Sequence, residues 1–500
     1  MIEKKIPSIK EMVTEYSSSF NTERNETAVI LAAGHGKRIK SNTSKMLHKI
    51  WEVPTVERVT NACQKGLNNS NIIIVVGIKA DDVMRGIGKR NFTSFAYQEV
   101  QNGTGHALQV AMENIPGKNY DGTVYVFPGD MGLLDPETVR FFKNEFEKSD
   151  ADMMVLTGIF DGKIEDNYYG RIVRVKNENA KGSKLSDLNK VIEILEYKDI
   201  LNLDEKKLYS VQSKGTKYKF SQKELIDNRE FNSGVYAFKF KPLMELIDKI
   251  QSNNVQKEIY LTDLIALFNN SGYNVEAVFP KDQYVLMGFN NKSVLQEMNA
   301  IAKKMVYNKL KDVITIDDPD DFFVDESVVE EILNMDADGK ILDIKICKGA
   351  YVGKGVKLNL NVSIGKNVLL KGDIHFGKNV TLHENTQITC FYGQSVQLND
   401  YVEIFPGNII KGNVSIGANS KLESWVRITG SDQYPARIGN DVSIKGTTYI
   451  FGSQIEDHIF IEQSVLIRKK VSKPAGIKSE IYTVKYYLPA PEGEEAVRNL

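Results

Sequence analysis

Two glycines and two cationic side chains lie close together near the start of the chain. Gly34 and Gly36 follow a short apolar run, and Arg38 and Lys45 come soon after them. Glycines let backbone N–H groups approach phosphate oxygens closely, and the two cations would place positive charge on those oxygens. This segment therefore favours a triphosphate site, although the same residues also fit an ordinary turn. The Walker A and GxGxxG patterns do not match it, which disfavours an ATPase or a dehydrogenase.

A carboxylate with a possible role in metal binding comes later in the chain. Asp130 lies just beyond the apolar run at residues 123–127. A carboxylate is a hard oxygen ligand of the kind that Mg²⁺ prefers, together with phosphate oxygens. A single Asp after a strand is more often a turn or cap residue. The assignment of Asp130 as a metal ligand therefore depends on a second ligand.

The elements that position these residues follow from the apolar pattern. Short apolar runs at residues 28–32, 72–76, 123–127 and 153–156 alternate with helical stretches. This alternation predicts βαβ units and a mostly parallel sheet. Sheets of this kind bind ligands at the carboxyl ends of their strands. We therefore look for chemistry in the residues that directly follow the apolar runs.

The C-terminal third of the chain has a different repeat. Aliphatic residues recur every six positions at Ile404, Ile410, Ile416, Leu422 and Ile428. This period fits neither an amphipathic helix nor a simple hairpin array. It predicts a solenoid of triangular coils, each with three short strands, whose core is complete only when the coils stack.

The overall composition excludes several classes of protein. The chain has 64 basic and 65 acidic residues and a formal net charge of -1, so a surface for nucleic acid has no support. Cys63, Cys347 and Cys390 are far apart and form no CxxC pair, which disfavours a zinc site or a disulfide framework. No apolar run approaches the roughly 20 residues that span a bilayer, and the first 27 residues do not resemble an export signal. We predict a cytoplasmic protein with no membrane partner.

The glycine turn is one of a set of short motifs that together resemble the motifs of a known family. The motifs are residues 31–38 with Lys45, Gln98 with residues 103–107, and residues 128–130, 169–172, 196–199, 231–234, 260–263 and 288–291. In type and order they resemble the motifs of the bacterial N-acetylglucosamine-1-phosphate uridyltransferase family, the UDP-N-acetylglucosamine pyrophosphorylases. The resemblance covers the whole of the first domain, and the ordered set is far more specific than any single motif.

The resemblance implies a role for particular residues. Arg38 and Lys45 would be catalytic, and Asn290 would join Asp130 as a Mg²⁺ ligand. The nucleotide would be bound by Leu31, Ala32, Ala33, Gly34, Gly36, Gln98, Gly103 and Thr104, and the sugar by Gly170, Glu196 and Asn232. The implied reaction joins UTP and a sugar-1-phosphate into a UDP-sugar, with UDP-N-acetylglucosamine as the expected product, and releases pyrophosphate. A phosphomonoester with a second pKa near about 6 is already largely dianionic at neutral pH, so no general base is required.

The resemblance also implies the fold and the assembly. The expected fold class is α/β, with a Rossmann-like nucleotidyltransferase domain followed by a left-handed parallel β-helix of hexapeptide repeats that forms a homotrimer. In bifunctional family members the β-helix contains an acetyltransferase site with a histidine in a stretch like GHLxYxGD. His375, His383 and His458 lie in the solenoid without that surrounding pattern. We predict that acetyl transfer is absent, which leaves trimer assembly, binding of a regulator and another acylation as roles for the β-helix.

The predicted domain organisation has five parts. They are an N-terminal extension (1–27), the nucleotidyltransferase domain (28–290), a helical connector (291–342), the β-helix (343–471) and a C-terminal tail (472–500). The extension lies outside the resemblance and could be an interaction helix. Charged stretches at residues 176–190 and 204–223 predict loops or an insertion, which adjoins Glu196 and leaves the choice of sugar open.

Other functions fit part of the sequence. The same chemistry could act on another hexose-1-phosphate or on dTTP. A non-catalytic scaffold that senses UDP-sugars would not need Arg38, Lys45, Asp130 and Asn290 together, so the presence of all four disfavours it. An acyltransferase that works through the β-helix is disfavoured by the missing histidine motif.

Overall fold

The structure is a computed structural model of the 500-residue chain. It describes residues 7–34, 36–117, 120–175, 190–213, 215–252, 254–476, 479 and 481–486. The chain divides into two compact units, Met1–Asn299 and Ala300–Leu500. The division falls within the helix Lys292–Leu310, where the sequence predicts a helical connector. The four boundaries between the five predicted parts remain predictions.

A nine-stranded mixed sheet forms the centre of the first unit. Seven strands lie in the order Val275–Val278, Met153–Ile159, Glu230–Lys239, Thr123–Pro128, Glu26–Ala32, Ser70–Val76 and Thr93–Tyr97, and Arg171–Arg174 and Val191–Leu195 extend the sheet beside Glu230–Lys239. Glu230–Lys239 is antiparallel to its neighbours Thr123–Pro128 and Met153–Ile159, whereas Glu26–Ala32 pairs in parallel on both sides. All four apolar runs predicted as strands belong to this sheet.

Helices cover the sheet. The described α-helices of this unit are Ile9–Tyr16, Thr55–Leu67, Ala80–Ile87, Thr104–Met112, Pro136–Lys148, Tyr197–Leu201, Gln222–Asp227, Phe240–Leu246 and Asp263–Asn270, and the short 3-10 helices include Lys37–Ile39, Lys45–Leu47, Ile164–Asp166, Ile247–Lys249 and Gln283–Leu286. Ala28 and Ile30 pack into one apolar cluster, while Val29 packs into another. A strand whose successive side chains enter different cores must be apolar along its length, which explains the continuous run at residues 28–32.

The N-terminal extension packs against its own unit. Ser8 and Glu11 form a capping box at the start of the helix Ile9–Tyr16. Met12 is buried in an apolar core cluster, and the Ser18 N–H donates to the Thr93 carbonyl at 2.8 Å. The described part of the extension therefore completes the core beside the edge strand Thr93–Tyr97, and an interaction role for its helix stays a prediction.

The predicted irregular segment at residues 204–223 contains regular structure. Tyr209–Ser213 and Thr216–Phe220 form an antiparallel hairpin, so of the two predicted alternatives loops are wrong there, and an insertion stays a prediction. Tyr218 and Phe220 are buried in a small cluster with Val173 and Ile192. The alternating lysines point away from this cluster, and their charge concealed the strand in the sequence. Of the other charged stretch, residues 176–189 lie outside the described part of the chain.

The second unit is a parallel β-helix with three faces. The first face contains Thr315–Ile316, Lys345–Ile346, Ser363–Ile364, Thr381–Leu382, Glu403–Ile404, Lys421–Leu422, Ser443–Ile444, Ile459–Glu462 and Tyr482–Lys485. The second contains Phe323–Val324, Tyr351–Val352, Leu369–Lys371, Gln387–Thr389, Ile409–Gly412, Arg427–Gly430, Tyr449–Phe451 and Val465–Ile467. The third contains Val356–Lys357, Asp373–Phe376, Ser395–Leu398, Val414–Ile416, Ala436–Ile438, Gln454–Ile455 and Lys470–Val471. One further α-helix of this unit is Glu326–Ala337.

The six-residue repeat places its aliphatic side chains inside the coils. The residues Ile404, Ile410, Ile416, Leu422 and Ile428 are all 0% exposed. Successive members fall on successive faces, so each coil contributes to the stacked core three times. The predicted fold class, α/β with a left-handed β-helix of hexapeptide repeats, is confirmed. Among the helices of the described residues, none combines the length and apolar character needed to cross a bilayer.

Candidate nucleotide and metal site

A crevice of about 600 Å³ lies in the first unit. It lies at the carboxyl ends of the strands Glu26–Ala32 and Thr123–Pro128, where open α/β sheets bind ligands. Its volume is within the range of small-molecule sites. Its lining includes the predicted residues Leu31, Ala33, Gly34, Gly36, Arg38, Lys45, Gln98, Gly103, Thr104, Asp130, Glu196, Asn232 and Asn290. The structure thus brings together residues from nearly every motif of the sequence.

Two predicted site residues do not line the crevice. Ala32 is 1% exposed and packs into the core below the strand end. Gly170 lies directly behind Glu196, because a Cβ at this position would be 3.2 Å from the Glu196 Oε1 atom. The backbone carbonyl of Gly170 accepts from the Asn232 N–H at 2.9 Å. Both residues therefore lie behind the residues that line the crevice and pack against them. His35, in the glycine turn, lies outside the described residues.

The glycine turn positions the cationic side chain of Lys45 at the crevice. Gly36 has a φ of 59°, in the left-handed region, and a Cβ there would be 2.7 Å from the Lys45 Cβ atom. Only glycine combines that backbone conformation with so close a contact. The turn leads into the 3-10 helix Lys37–Ile39, and Lys45 begins the next one, Lys45–Leu47. The loop is thus folded so that Lys45 faces the strand ends.

Lys45 joins the two predicted metal ligands. Its Nζ atom lies 2.5 Å from Asp130 Oδ2 and 3.0 Å from Asn290 Oδ1. Asp130 follows the strand Thr123–Pro128, and Gly288 lets a neighbouring loop approach it, since a Cβ there would be 3.1 Å from Asp130 Oδ2. A carboxylate oxygen and an amide oxygen from distant segments therefore converge on one cationic group.

These two side chains fit a hard divalent ion. Both offer oxygen atoms, which Mg²⁺ prefers, and an ammonium group already stands between them as a cation of the protein itself. Within the described part of the chain, no group of three or more His, Cys, Asp or Glu residues could hold a metal ion. Mg²⁺ is commonly held by one or two protein ligands together with phosphate oxygens and water. The donor set therefore suits an ion that binds with a phosphate substrate.

The predicted base-binding stretch is held by its own hydrogen bonds. Gln98 is 3% exposed, and its Nε2 atom lies 3.1 Å from the Gly103 carbonyl and 3.0 Å from His106 Nδ1. Gly103 has a φ of 105°, and a Cβ there would be 2.5 Å from the Ile259 carbonyl oxygen. The Gly105 N–H donates to the same carbonyl at 2.8 Å. The stretch is therefore fixed against the segment that leads into Tyr260.

The predicted sugar residues lie in an acidic environment. Burial, with the nearby carboxylates of Asp199 and Asp263, raises the pKa of Glu196 to about 7. Burial and Asp199 also raise the pKa of Asp263 to about 6. Asn232 accepts from the Gly234 N–H at 2.9 Å, next to an irregularity in the strand Glu230–Lys239. This side of the crevice can therefore both accept and donate hydrogen bonds near neutral pH.

A buried arginine holds the loop that precedes Gly170. Arg171 is 0% exposed and donates to Asn167 Oδ1 at 3.0 Å, to the Asn167 carbonyl at 2.8 Å and to the Tyr169 carbonyl. Tyr169 packs on Phe231, with ring centroids 4.6 Å apart. These contacts fix the backbone beside the predicted sugar residues.

Several residues of the crevice were not predicted. Gln101, Glu258, Thr262 and Tyr236 also line it. Thr262 lies in the motif at residues 260–263, but no role was predicted for it. Gln101 and Glu258 are polar residues in connecting segments, and the contact of Asn102, Gly103 and Gly105 with Ile259 brings those segments together. Sequence spacing contains no signal for that contact.

The histidines of the β-helix lie at its outer surface. His375 contacts Asp373 at 2.9 Å, and His383 contacts Glu403 at 3.2 Å. His458 is 3.7 Å from a carboxylate oxygen of Asp441, and its side chain is 59% exposed. All three therefore make local contacts with carboxylates of the β-helix itself.

Comparisons with known proteins found a matching family model and several similar proteins. Residues 28–163 match the family described as the MobA-like NTP transferase domain. The Bifunctional protein GlmU of Clostridium tetani is 33% identical over 303 residues, 60% of this chain and 58% of that protein. The GlmU protein of Acetivibrio thermocellus is 33% identical over 302 residues, 60% of this chain and 57% of that protein. The chain thus spans less than two thirds of the length of these relatives.

A solved structure is also similar to part of the chain. A UDP-glucose pyrophosphorylase complexed with UDP-glucose aligns with a TM-score of 0.39 and 15% identity, over 56% of this chain and 99% of that chain. The chain is thus similar to GlmU proteins over part of its length, in agreement with the resemblance of its motifs, and residues 28–163 match a MobA-like NTP transferase domain.

Proposed function

We propose that the protein is a sugar-1-phosphate nucleotidyltransferase that forms UDP-N-acetylglucosamine and pyrophosphate from UTP and N-acetylglucosamine-1-phosphate. The observation that supports this most directly is the convergence of the glycine turn, Arg38, Lys45, Asp130 and Asn290 on one crevice. The similarity to GlmU proteins supports the same chemistry.

The reaction requires two anions to meet. An oxygen of the sugar-1-phosphate attacks the α-phosphorus of UTP, and the bond from that phosphorus to the pyrophosphate oxygen breaks. The attacking phosphate has a second pKa near about 6, so it needs no side chain to remove a proton. Arg38 and Lys45 offset negative charge on the phosphates, and the backbone of Gly34 and Gly36 leaves room for their close approach.

Asp130 and Asn290 would hold a divalent ion, which we propose to be Mg²⁺. When bound, the ion would neutralise charge on the phosphate oxygens and so favour departure of pyrophosphate. The two protein oxygens already lie within contact distance of a common cationic group, the Lys45 ammonium. The protein thus contributes a small, fixed pair of ligands and leaves the remaining positions for phosphate and water.

Selection of the nucleotide is assigned to Gln98, Gly103 and Thr104. The amide of Gln98 can pair with the edge of a pyrimidine, and its burial favours a fixed orientation. Sugar binding is assigned to Glu196, Asn232 and the loop at Gly170. A neighbouring pair of carboxylate and amide groups can bind both hydroxyls and an N-acetyl group. Another hexose-1-phosphate, or dTTP, remains the alternative at this site.

For the β-helix we propose a role in assembly without acetyl transfer. Columns of outward-facing side chains follow the strand register on each face. On the second face one column is mostly apolar: Phe323, Tyr351, Leu369, Gln387, Ile409, Arg427, Tyr449 and Val465. A second column on the same face is mixed: Lys371, Thr389, Lys411, Thr429, Phe451 and Ile467. The matching column on the third face is polar throughout: Lys357, His375, Gln397, Ser415, Arg437, Gln454 and Lys470. An apolar column on a single face supports a homotrimer that buries this surface.

The test of the proposed activity is a substrate panel. Pyrophosphate release is measured with UTP, dTTP, CTP, ATP and GTP against N-acetylglucosamine-1-phosphate, glucosamine-1-phosphate and glucose-1-phosphate, with Mg²⁺ and with EDTA. We expect turnover to be highest for UTP with N-acetylglucosamine-1-phosphate and to disappear in EDTA. Higher turnover with another pair of nucleotide and sugar-1-phosphate would show that the alternative substrates are the correct ones. Absence of turnover with every pair would favour the sensing scaffold.

A parallel assay tests the β-helix. Acetyl-CoA is incubated with the protein and glucosamine-1-phosphate, and release of the free thiol is followed. We expect none above background, since the histidine stretch of the acetyltransferase site is missing. Thiol release that requires the protein would contradict the proposed absence of acetyl transfer.

A further inference from the structure

Lys45 lies between the two oxygen atoms that the proposed function assigns to the divalent ion. Its ammonium nitrogen is 2.5 Å from Asp130 Oδ2 and 3.0 Å from Asn290 Oδ1, and it is 5.4 Å from the centre of the Phe289 ring. The side chains of Lys45 and Asp130 are only 10% and 17% exposed. Lys45 therefore balances the charge of Asp130 at the wall of the crevice, where both side chains are largely shielded from solvent.

The position of Lys45 is set by the fold around it. Lys45 is the first residue of the 3-10 helix Lys45–Leu47, and the second residue of this helix, Met46, is buried in the core. The absence of a side chain at Gly36 leaves the space that the Lys45 stem occupies. The stem is thus anchored, while the end of a four-carbon side chain can still turn about its own bonds.

The ammonium and a divalent ion need the same oxygens. Mg²⁺ binds its oxygen ligands at about 2.0–2.1 Å, and two cations that close to one carboxylate would repel each other. Entry of the ion therefore requires the ammonium to leave Asp130 and Asn290. A second set of partners is close by, because the same crevice is lined by Gly34, Gly36 and Arg38, where the phosphates are expected.

We propose that Lys45 competes with the divalent ion for Asp130 and Asn290. While the crevice contains no triphosphate, the ammonium occupies the pair and weakens metal binding. When a triphosphate accepts the ammonium, the pair becomes available, so metal and nucleotide bind cooperatively. Coupling of this kind is reciprocal, and the metal favours the nucleotide by the same factor. The inference rests on the metal assignment of the proposed function.

The test measures metal affinity without substrates. Binding of Mn²⁺ to the full-length, nucleotide-free protein is followed by electron paramagnetic resonance of the free ion, for the wild type and for Lys45→Met. Methionine keeps most of the length of the side chain and removes its charge. We expect Lys45→Met to bind Mn²⁺ about tenfold more tightly than the wild type, within the usual range of coupling between two ligands. Lys45→Gln serves as a second variant if Lys45→Met is poorly folded by circular dichroism.

Two controls locate the effect. Arg38→Met removes a positive charge from the same crevice but leaves the Lys45 contacts in place, so its gain in Mn²⁺ affinity should be clearly smaller. The double variant Lys45→Met with Asp130→Asn should lose the gain in Mn²⁺ affinity. That loss would show that the Mn²⁺ bound more tightly by Lys45→Met lies at the Asp130 carboxylate. An equal gain in Arg38→Met would mean that general charge, and not occupation of the ligand pair, controls affinity.

The outcomes also separate this inference from the proposed function. Equal or weaker Mn²⁺ binding by folded Lys45 variants, or no detectable binding by any of the proteins, would overturn the competition. If the wild type catalyses pyrophosphate release and the variants show no gain in Mn²⁺ affinity, only the competition fails. If the variants gain affinity and the wild type shows no transferase activity, the competition stands and the proposed function fails.

Discussion

Individual residues of the crevice come from distant parts of the chain. Asp130 follows one strand of the sheet, whereas Asn290 lies just before the helix Lys292–Leu310, and both contact Lys45. A sequence pattern can suggest each residue separately, but only the fold gives the distance between them. Their contact with a common ammonium supports the proposal that they act as a ligand pair.

Replacement of Asp130 tests its role at the scale of one side chain. Asp130→Ala should reduce kcat/KM for pyrophosphate release by about a hundredfold or more, because the divalent ion loses its only charged protein ligand among the residues assigned to it. His383→Ala is the matched control in the same assay. Its side chain lies on the β-helix surface, so near wild-type turnover is expected. Normal turnover by Asp130→Ala would remove the metal assignment.

Glu196 predicts a pH dependence of stability. Its pKa rises from an ordinary 4.5 to about 7 in the folded protein, mainly because it is buried. The folded state therefore retains a proton that the unfolded state has lost, and this contribution to stability is fully present below about pH 4.5 and is lost as pH rises through about 7. Glu196→Gln does not titrate. The unfolding free energy of this variant minus that of the wild type should therefore increase by roughly 1–3 kcal/mol when the pH is raised from about 5 to about 8.

Urea unfolding at several pH values measures this difference directly. Other groups with raised pKa values, such as Asp263, titrate in both proteins and largely cancel in the comparison. A difference that stays constant from about pH 5 to pH 8 would show that Glu196 is ionised in the folded state over the whole range.

At the scale of elements, the glycine turn decides where Lys45 points. Gly36→Ala would place a Cβ 2.7 Å from the Lys45 Cβ atom at a residue with a φ of 59°. We expect a loss of roughly 1–3 kcal/mol of stability from strain and overlap, with a decrease in activity because Lys45 is displaced. Gly34→Ala is the control for stability, since a Cβ there meets no atom within 4 Å. Equal thermal unfolding midpoints for the two variants would contradict this account of the turn.

The elements also show what the sequence could and could not predict. The strand runs at residues 28–32 and 123–127 were predictable because strands buried on both faces are continuously apolar. The hairpin of Tyr209–Ser213 and Thr216–Phe220 was missed, because its lysines resemble those of a charged loop and its first strand has little apolar alternation. Gln101 and Glu258 were missed for another reason. They meet the site only through tertiary contacts between separate segments.

At the scale of the whole molecule, the β-helix was the most predictable part. A six-residue period determines both the coil and the inward positions, so Ile410 and Ile416 could be assigned to the core from spacing alone. The outer faces are less predictable, since their register depends on corners of unequal length. The apolar column of the second face becomes visible only when the strands Ile409–Gly412 and Tyr449–Phe451 are placed in register.

The proposed assembly gives a prediction for the full chain. Light scattering after size exclusion should give a mass three times the 56.3 kDa of one chain. Ile409→Glu with Tyr449→Glu would place charges on the apolar column and should convert the trimer to monomers. Gln397→Glu adds a charge to the polar third face and should leave the trimer intact. A wild type that elutes as a monomer would contradict the assembly, and dissociation by Gln397→Glu would contradict the choice of face.

The most direct test of the central claim is a crystal structure of the protein with UDP-N-acetylglucosamine and Mg²⁺. We predict that the two phosphates lie against Gly34, Gly36 and Arg38, and that the ion contacts Asp130 and Asn290. The Lys45 ammonium should then contact phosphate and no longer contact that pair. An empty crevice, or an ion bound away from Asp130 and Asn290, would contradict the proposal that these residues form one nucleotide and metal site.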